Sequence, residues 1–141
     1  MIVVINRQRA RKIDSKEWLK FTEHALRAIG RAHQTASIVF VSDAEIKKLN
    51  RQFRGKNYAT DVLSFPTKAE DFETDNQSQL GEVVISVERA AAQARENGLT
   101  FLNEVQQLIL HGLLHLSGHD HEADDGEMSR LELRLRKKLG I

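Results

Sequence analysis

Three histidines in one short segment constrain this chain more than any other feature of its sequence. His111, His115 and His121 stand at relative positions 0, 4 and 10, with Gly118 at position 7. Apolar residues recur at helical spacing up to and between the first two histidines, which predicts one helix over residues 100–117. These apolar residues are Leu102, Val105, Leu108, Ile109, Leu113 and Leu116. His111 and His115 are therefore neighbours on one helix face, with Cβ atoms about 5–6 Å apart.

This spacing predicts a site for one zinc ion. Imidazole nitrogens one helical turn apart can converge on an ion at about 2.0–2.1 Å, whereas a ligand at position 121 of the same helix would point away. The helix must therefore stop before His121. Gly118 supplies the stop, because glycine enters the left-handed conformation without steric cost. Three protein ligands leave a fourth coordination position open, which is typical of catalytic zinc.

The weaker alternative is a helix end at which the imidazoles only meet the last carbonyl groups. His119 and Asp120 are not predicted as ligands, although the carboxylate of Asp120 could orient a liganding imidazole.

The same spacing occurs in metzincin proteases, in which a glutamate follows the first histidine and acts as the general base. In this chain that position is Gly112, which has no side chain to accept a proton. A zinc peptidase is therefore only the runner-up hypothesis.

The composition predicts a soluble, cytoplasmic protein with a single domain over residues 1–141. The chain has 141 residues, of which 40% are hydrophobic and 29% charged, and it is long enough to bury a core. It contains no cysteine, which excludes thiolate ligands and fits a reducing compartment. No apolar run approaches the roughly 18 residues of a membrane span, and the apolar start is too short for a signal peptide.

Charge is segregated along the chain. Residues 1–60 carry a net charge of +8, residues 61–127 carry −11 and residues 128–141 carry +4. A basic wall facing a metal centre would suit a polyanion whose phosphate must reach the ion. Solvated helix faces explain the same distribution equally well.

Periodicity and capping predict an α+β fold, with a mixed sheet of about four strands, about five helices and a zincin-like metal helix. Strands are predicted over residues 2–5, 37–41, 62–65 and 81–87. Three helices are predicted to be capped by Asp14, Ser42 and Asp124, and two more to cover residues 88–97 and 100–117. Residues 68–79 are acidic and aperiodic, which predicts a loop near the site or an inert insertion.

Arg54 is a weaker candidate on its residues alone. It precedes Gly55 at the predicted end of the second helix, so its guanidinium can project outward and hold a phosphate through two parallel hydrogen bonds. Exposed arginines are common, and a plain surface cation is the alternative. Thr60 and Asp61 are more typical of a cap or turn than of a catalytic pair.

Three blocks together resemble the bacterial YbeY family of metal-dependent endoribonucleases. They are the histidine segment 111–121, Arg54-Gly55 followed by residues 60–66, and residues 81–86, so the resemblance spans about residues 38–121. His119 stands where the family usually has tyrosine, and Glu82 where it usually has aspartate.

The resemblance implies a single-strand-specific endoribonuclease that acts in ribosomal RNA maturation, at the 3′ end of small-subunit RNA, and in ribosome quality control. It implies one zinc ion on His111, His115 and His121, and a catalytic role for Arg54. The expected partners are single-stranded ribosomal RNA and the ribosome or its small subunit. A non-catalytic ribosome-assembly factor, with zinc used only for folding, is the rival from another class.

Overall fold

The computed structural model describes residues 1–67, 79–119 and 124–141. Nine helices and strands follow one another in these residues: β1 (Val3–Asn6), α1 (Ser15–Ile29), β2 (Thr35–Val41), α2 (Asp43–Arg54), β3 (Val62–Pro66), β4 (Gln79–Ser86), α3 (Val87–Asn97), α4 (Phe101–Leu116) and α5 (Glu127–Leu139). The predicted α+β class and the numbers of strands and helices are confirmed. Residues 68–78 of the predicted loop lie outside the described residues, and Gln79 already belongs to β4.

The described strands form one mixed sheet in the order β1-β2-β4-β3. β1 and β2 are parallel, as are β2 and β4, with Ile38 opposite Val83. β3 runs antiparallel to β4 at the edge, where Pro66 lies opposite Gly81. An edge position suits Pro66, because proline has no N–H to donate to a neighbouring strand.

Alternate residues of β2 and β4 face opposite sides of the sheet, and both sides are buried. One side packs against α1, α3 and α4 in the largest apolar cluster, and the other packs against α2 in a smaller one. α5 lies outside this sandwich, on the far side of α4 and α1. α4 is consequently covered by the sheet on one side and by α5 on another.

Capping residues set most of the helix starts. The side chains of Asp14 and Ser42 accept hydrogen bonds from the first turns of α1 and α2, as predicted. The prediction of Asp124 as the N-cap of α5 is wrong, because Gly126 occupies that position. The Asp124 carboxylate instead lies beyond the cap and accepts from the N–H groups of Gly126 and Met128.

Candidate active-site cleft

α4 carries both predicted helical histidines and ends where the sequence indicated. Thr100 caps its start by accepting from the N–H of Asn103 at 3.1 Å. Just past its last residue, Gly118 adopts a left-handed φ of +98°. The Gly118 and His119 N–H groups then donate to the carbonyls of His115 and Leu114. These bonds close the helix before position 121, so the predicted stop at Gly118 is confirmed.

The two imidazoles point their Nε2 atoms at one another. The Nε2 atoms of His111 and His115 lie 3.0 Å apart, and the rings are inclined at 74°. Two nitrogen ligands at about 2.0–2.1 Å from a tetrahedral zinc ion are themselves about 3.3 Å apart. The pair therefore fits two ligands of a single zinc ion with a small shift of the rings.

The far nitrogen of His111 contacts α5. Its Nδ1 lies 2.7 Å from Oε1 of Glu132, whose other oxygen accepts from Nη2 of Arg136, also at 2.7 Å. Glu132 is buried. Burial is the largest effect and raises the pKa of Glu132, but the hydrogen bond and charge of His111, together with Arg136, bring the pKa below its ordinary value.

Glu132 was not predicted as a site residue. A signal for it exists in the sequence, because Glu132 stands four residues after Met128 and three before Leu135, on the apolar face of α5. A carboxylate on a buried helix face needs a polar partner, and such a residue is a candidate for a site.

Arg54 belongs to α2, which packs on the opposite side of the sheet from α4, and its side chain lies beside the edge strand β3. It is the last residue of α2, and Gly55 ends the helix with a left-handed φ of +68°. The exposed Arg54 side chain turns toward β3 and donates from Nη2 to the carbonyl of Ser64 at 3.0 Å. A guanidinium has five N–H donors, so this bond fixes its direction and leaves donors for a ligand.

Arg54, His111 and His115 line one open cleft with a volume of about 350 Å³. The other lining residues are Val62, Leu63, Ser64, Pro66, Leu116, Gly118 and His119. The fold thus brings the arginine and the two histidines together although they are far apart in the chain. Asp120 and His121 lie outside the described residues. Among the residues that are described, no three His, Cys, Asp or Glu side chains form a metal-binding group.

Gly112 lies against the sheet and not in the cleft. A Cβ at this position would lie 2.7 and 2.9 Å from the two methyl groups of Val83 and 3.2 Å from Oγ of Ser64. The position that carries the general base in metzincins is therefore occupied by helix-to-sheet packing. This contact strengthens the case against the peptidase hypothesis.

No helix in the described parts of the chain is long and apolar enough to cross a membrane.

Comparisons with known proteins agree on one family. A family model described as Endoribonuclease YbeY matches residues 3–140. The protein called Endoribonuclease YbeY from Solibacter usitatus is 52% identical over 103 residues, which cover 73% of this chain and 65% of that protein. The protein of the same name from Geobacter metallireducens is 35% identical over 141 residues, which cover 99% of this chain and 94% of that protein. The solution structure of TM1509 from Thermotoga maritima superposes with a TM-score of 0.64 at 30% identity. The match covers 99% of this chain and 89% of that one.

Proposed function

The chain belongs to the YbeY family of endoribonucleases, and from that membership we propose that it cleaves single-stranded RNA with one bound zinc ion. The proposed substrate is ribosomal RNA, with maturation of the 3′ end of small-subunit RNA and ribosome quality control as its roles in the cytoplasm. The activity is assigned to residues 1–141 as one domain, with the ribosome or its small subunit as partner.

One observation carries this proposal: Arg54 and the pair His111 and His115 share the walls of one cleft. A cation that can bind phosphate beside a pair of candidate metal ligands is an arrangement suited to phosphodiester cleavage. The cleft is open to solvent, which suits a catalytic ion better than a closed structural one.

The proposed zinc ligands are His111 and His115, with His121 as the third from its spacing. When bound, the ion would supply Lewis-acid polarisation of a phosphoryl oxygen and make water a better nucleophile at neutral pH. Imidazoles are suitable donors for zinc, and the separation of the two Nε2 atoms fits a shared ion.

Arg54 is proposed to hold the scissile phosphate and to stabilise the charge that it gains. The Ser64 carbonyl aims the guanidinium along the cleft wall, and paired N–H donors match two phosphate oxygens. Lys47, Lys48 and Arg51 are exposed on the same helix. These cations would attract a polyanion toward the cleft.

The direct test is cleavage of an end-labelled single-stranded RNA by wild type, His115→Ala and Arg54→Ala. Two control variants match them: His24→Ala removes an exposed histidine from α1, and Arg134→Ala removes an exposed arginine from α5. We expect cutting by wild type and both controls, and a loss of about 10²-fold or more in His115→Ala and Arg54→Ala. The same RNA annealed to its complement should resist.

Equal cutting by all five proteins would identify a contaminating ribonuclease and contradict the proposal. If none of the five proteins cut the RNA but all of them bound the ribosome, the result would favour a non-catalytic ribosome-assembly factor.

A further inference from the structure

A carboxylate of α5, that of Glu132, contacts His111 in the wall of the cleft. Glu132 contacts His111 from the side opposite the cleft, through Nδ1 rather than Nε2. The two residues belong to different helices, and the contact is 2.7 Å long between partly buried side chains. Such a contact is absent from any local sequence pattern and arises only because α5 packs on α4.

The chemistry of the imidazole gives this contact a consequence. A neutral imidazole carries one N–H, and the nitrogen that carries it is decided by the hydrogen bond that it makes. A carboxylate only accepts, so Glu132 requires the proton to be on Nδ1 of His111. Nε2 of His111 then has a lone pair and lies 3.0 Å from Nε2 of His115.

We propose that Glu132, held in place by Arg136, is a positioning residue that fixes His111 in the Nδ1–H tautomer and so prepares its Nε2 atom to bind zinc. This inference deepens the proposed function and rests on it for the identity of the ligand. The proton position on His111 also determines the proton position on His115. In protein prepared without metal, Nε2 of His111 can only accept, so the 3.0 Å contact makes Nε2 of His115 the donor.

Arg136 keeps Glu132 in this role. Its Nη2 atom lies 2.7 Å from the second carboxylate oxygen, one helical turn along α5. The side chain of Glu132 is 12% exposed and that of Arg136 is 31% exposed, so the pair is shielded from most of the solvent. Carboxylates that hold a liganding histidine in this way typically change metal affinity by about 10–100-fold when they are removed.

Two-bond ¹H–¹⁵N correlation spectra of the metal-free protein test the proposal without any catalytic readout. The samples are wild type, Glu132→Gln, Glu132→Ala, Arg136→Ala and the control Arg134→Ala, which removes an exposed arginine from the same helix. Spectra are recorded at about pH 8 to observe neutral imidazoles, whose ring nitrogens reveal the tautomer.

We expect wild type and Arg134→Ala to show His111 protonated on Nδ1 and His115 protonated on Nε2. Glu132→Ala should distribute the His111 proton over both nitrogens, and Arg136→Ala should shift it in the same direction by less. Glu132→Gln preserves the side-chain shape and serves if the alanine variant unfolds. Its amide can keep only part of the preference, because its NH₂ group would face Arg136.

Competition for Zn²⁺ with a chromophoric chelator gives the second readout. Glu132→Ala should weaken zinc binding by about 10–100-fold and Arg134→Ala should leave it unchanged. An unaltered His111 tautomer together with unaltered zinc affinity in both Glu132 variants would overturn the proposal and leave Glu132 a structural ion-pair residue. A changed tautomer in a protein whose wild type binds no zinc would uphold the orientation of His111 and refute the zinc-dependent function.

Discussion

Gly112 fixes the distance between the histidine helix and the sheet. It is buried, and a single added carbon would meet both methyl groups of Val83. Protein interiors are packed closely enough that even one extra methyl group must displace a neighbour. The lack of a side chain at Gly112 thus lets α4 pack close against the sheet, with His111 and His115 in the wall of the cleft.

Gly112→Ala is expected to destabilise the protein. Overpacking of this kind costs about 1–3 kcal/mol, and the gain in helix propensity of about 1 kcal/mol offsets only part of it. Urea unfolding of wild type, Gly112→Ala, Val83→Ala and the double variant measures the coupling. Because Val83→Ala removes both crowding methyl groups, the double variant should lose less stability than the two single losses added together. Strict additivity would show that these atoms do not compete for space.

Arg54→Lys is expected to impair cleavage while leaving the fold intact. Lysine keeps the charge but lacks the planar fork that bonds two phosphate oxygens, so kcat/KM should fall by about tenfold or more. The side chain is exposed, so stability should change by less than about 0.5 kcal/mol. Arg51→Lys is the matched control. Similar kcat/KM values for the two variants would assign Arg54 to general charge attraction.

Sequence patterns identified the site residues that lie close together in the chain, but not the one that packing between two helices brings to the site. His111, His115 and Gly118 were found from spacing along one helix, because helical geometry converts sequence distance into position. Glu132 was missed because its contact with His111 depends on how α5 packs against α4. Periodicity places Glu132 on the apolar face of α5 but does not show which residue of α4 it contacts.

At the scale of elements, capping patterns predicted two helix starts correctly and one incorrectly. Asp14 and Ser42 were identified from the pattern and cap their helices. Asp124 followed by Glu127 has the same pattern, yet the chain makes a further turn and Gly126 takes the cap position. The order of the strands, with β4 between β2 and β3, depends on contacts distant in sequence and was not predicted.

Asp124→Ala should destabilise α5 even though Asp124 is not its cap. The carboxylate accepts from two N–H groups at 2.8 and 2.9 Å, and the loss of capping bonds of this kind costs about 1 kcal/mol. Thermal unfolding measures the change. Asp125→Ala, at the exposed neighbouring position, should stay within about 0.5 kcal/mol of wild type. An equal effect at both positions would point to local charge and not to these bonds.

For the whole molecule, the described residues form apolar clusters through helix-to-sheet and helix-to-helix packing that needs no metal ion. The larger cluster joins α1, α3 and α4 to the sheet, and the smaller one joins α2 to its other side. Folding therefore draws its hydrophobic free energy from regions beside the proposed zinc site. The domain is expected to fold without metal, unlike small zinc-dependent modules.

Chelation distinguishes a catalytic ion from a structural one. After treatment with EDTA, the protein should keep its circular dichroism spectrum and unfold cooperatively. Zinc at 100 times its Kd should then add about 2.7 kcal/mol of stability. His24→Ala should show the same gain and His115→Ala a much smaller one. Unfolding on chelation would instead support the rival in which zinc serves only the fold.

α4 carries two of the three proposed ligands, His111 and His115, and also packs against α1, α3, α5, β3 and β4. Functional residues are often drawn from segments that open locally at little cost, whereas amide protons in the most heavily packed helix exchange only when the whole domain opens. The backbone N–H groups of His111 and His115 should therefore be among the slowest of the chain to exchange with deuterium. Under increasing denaturant, the geometry of the pair would persist until the domain itself unfolds, so catalysis and structure should disappear in one transition.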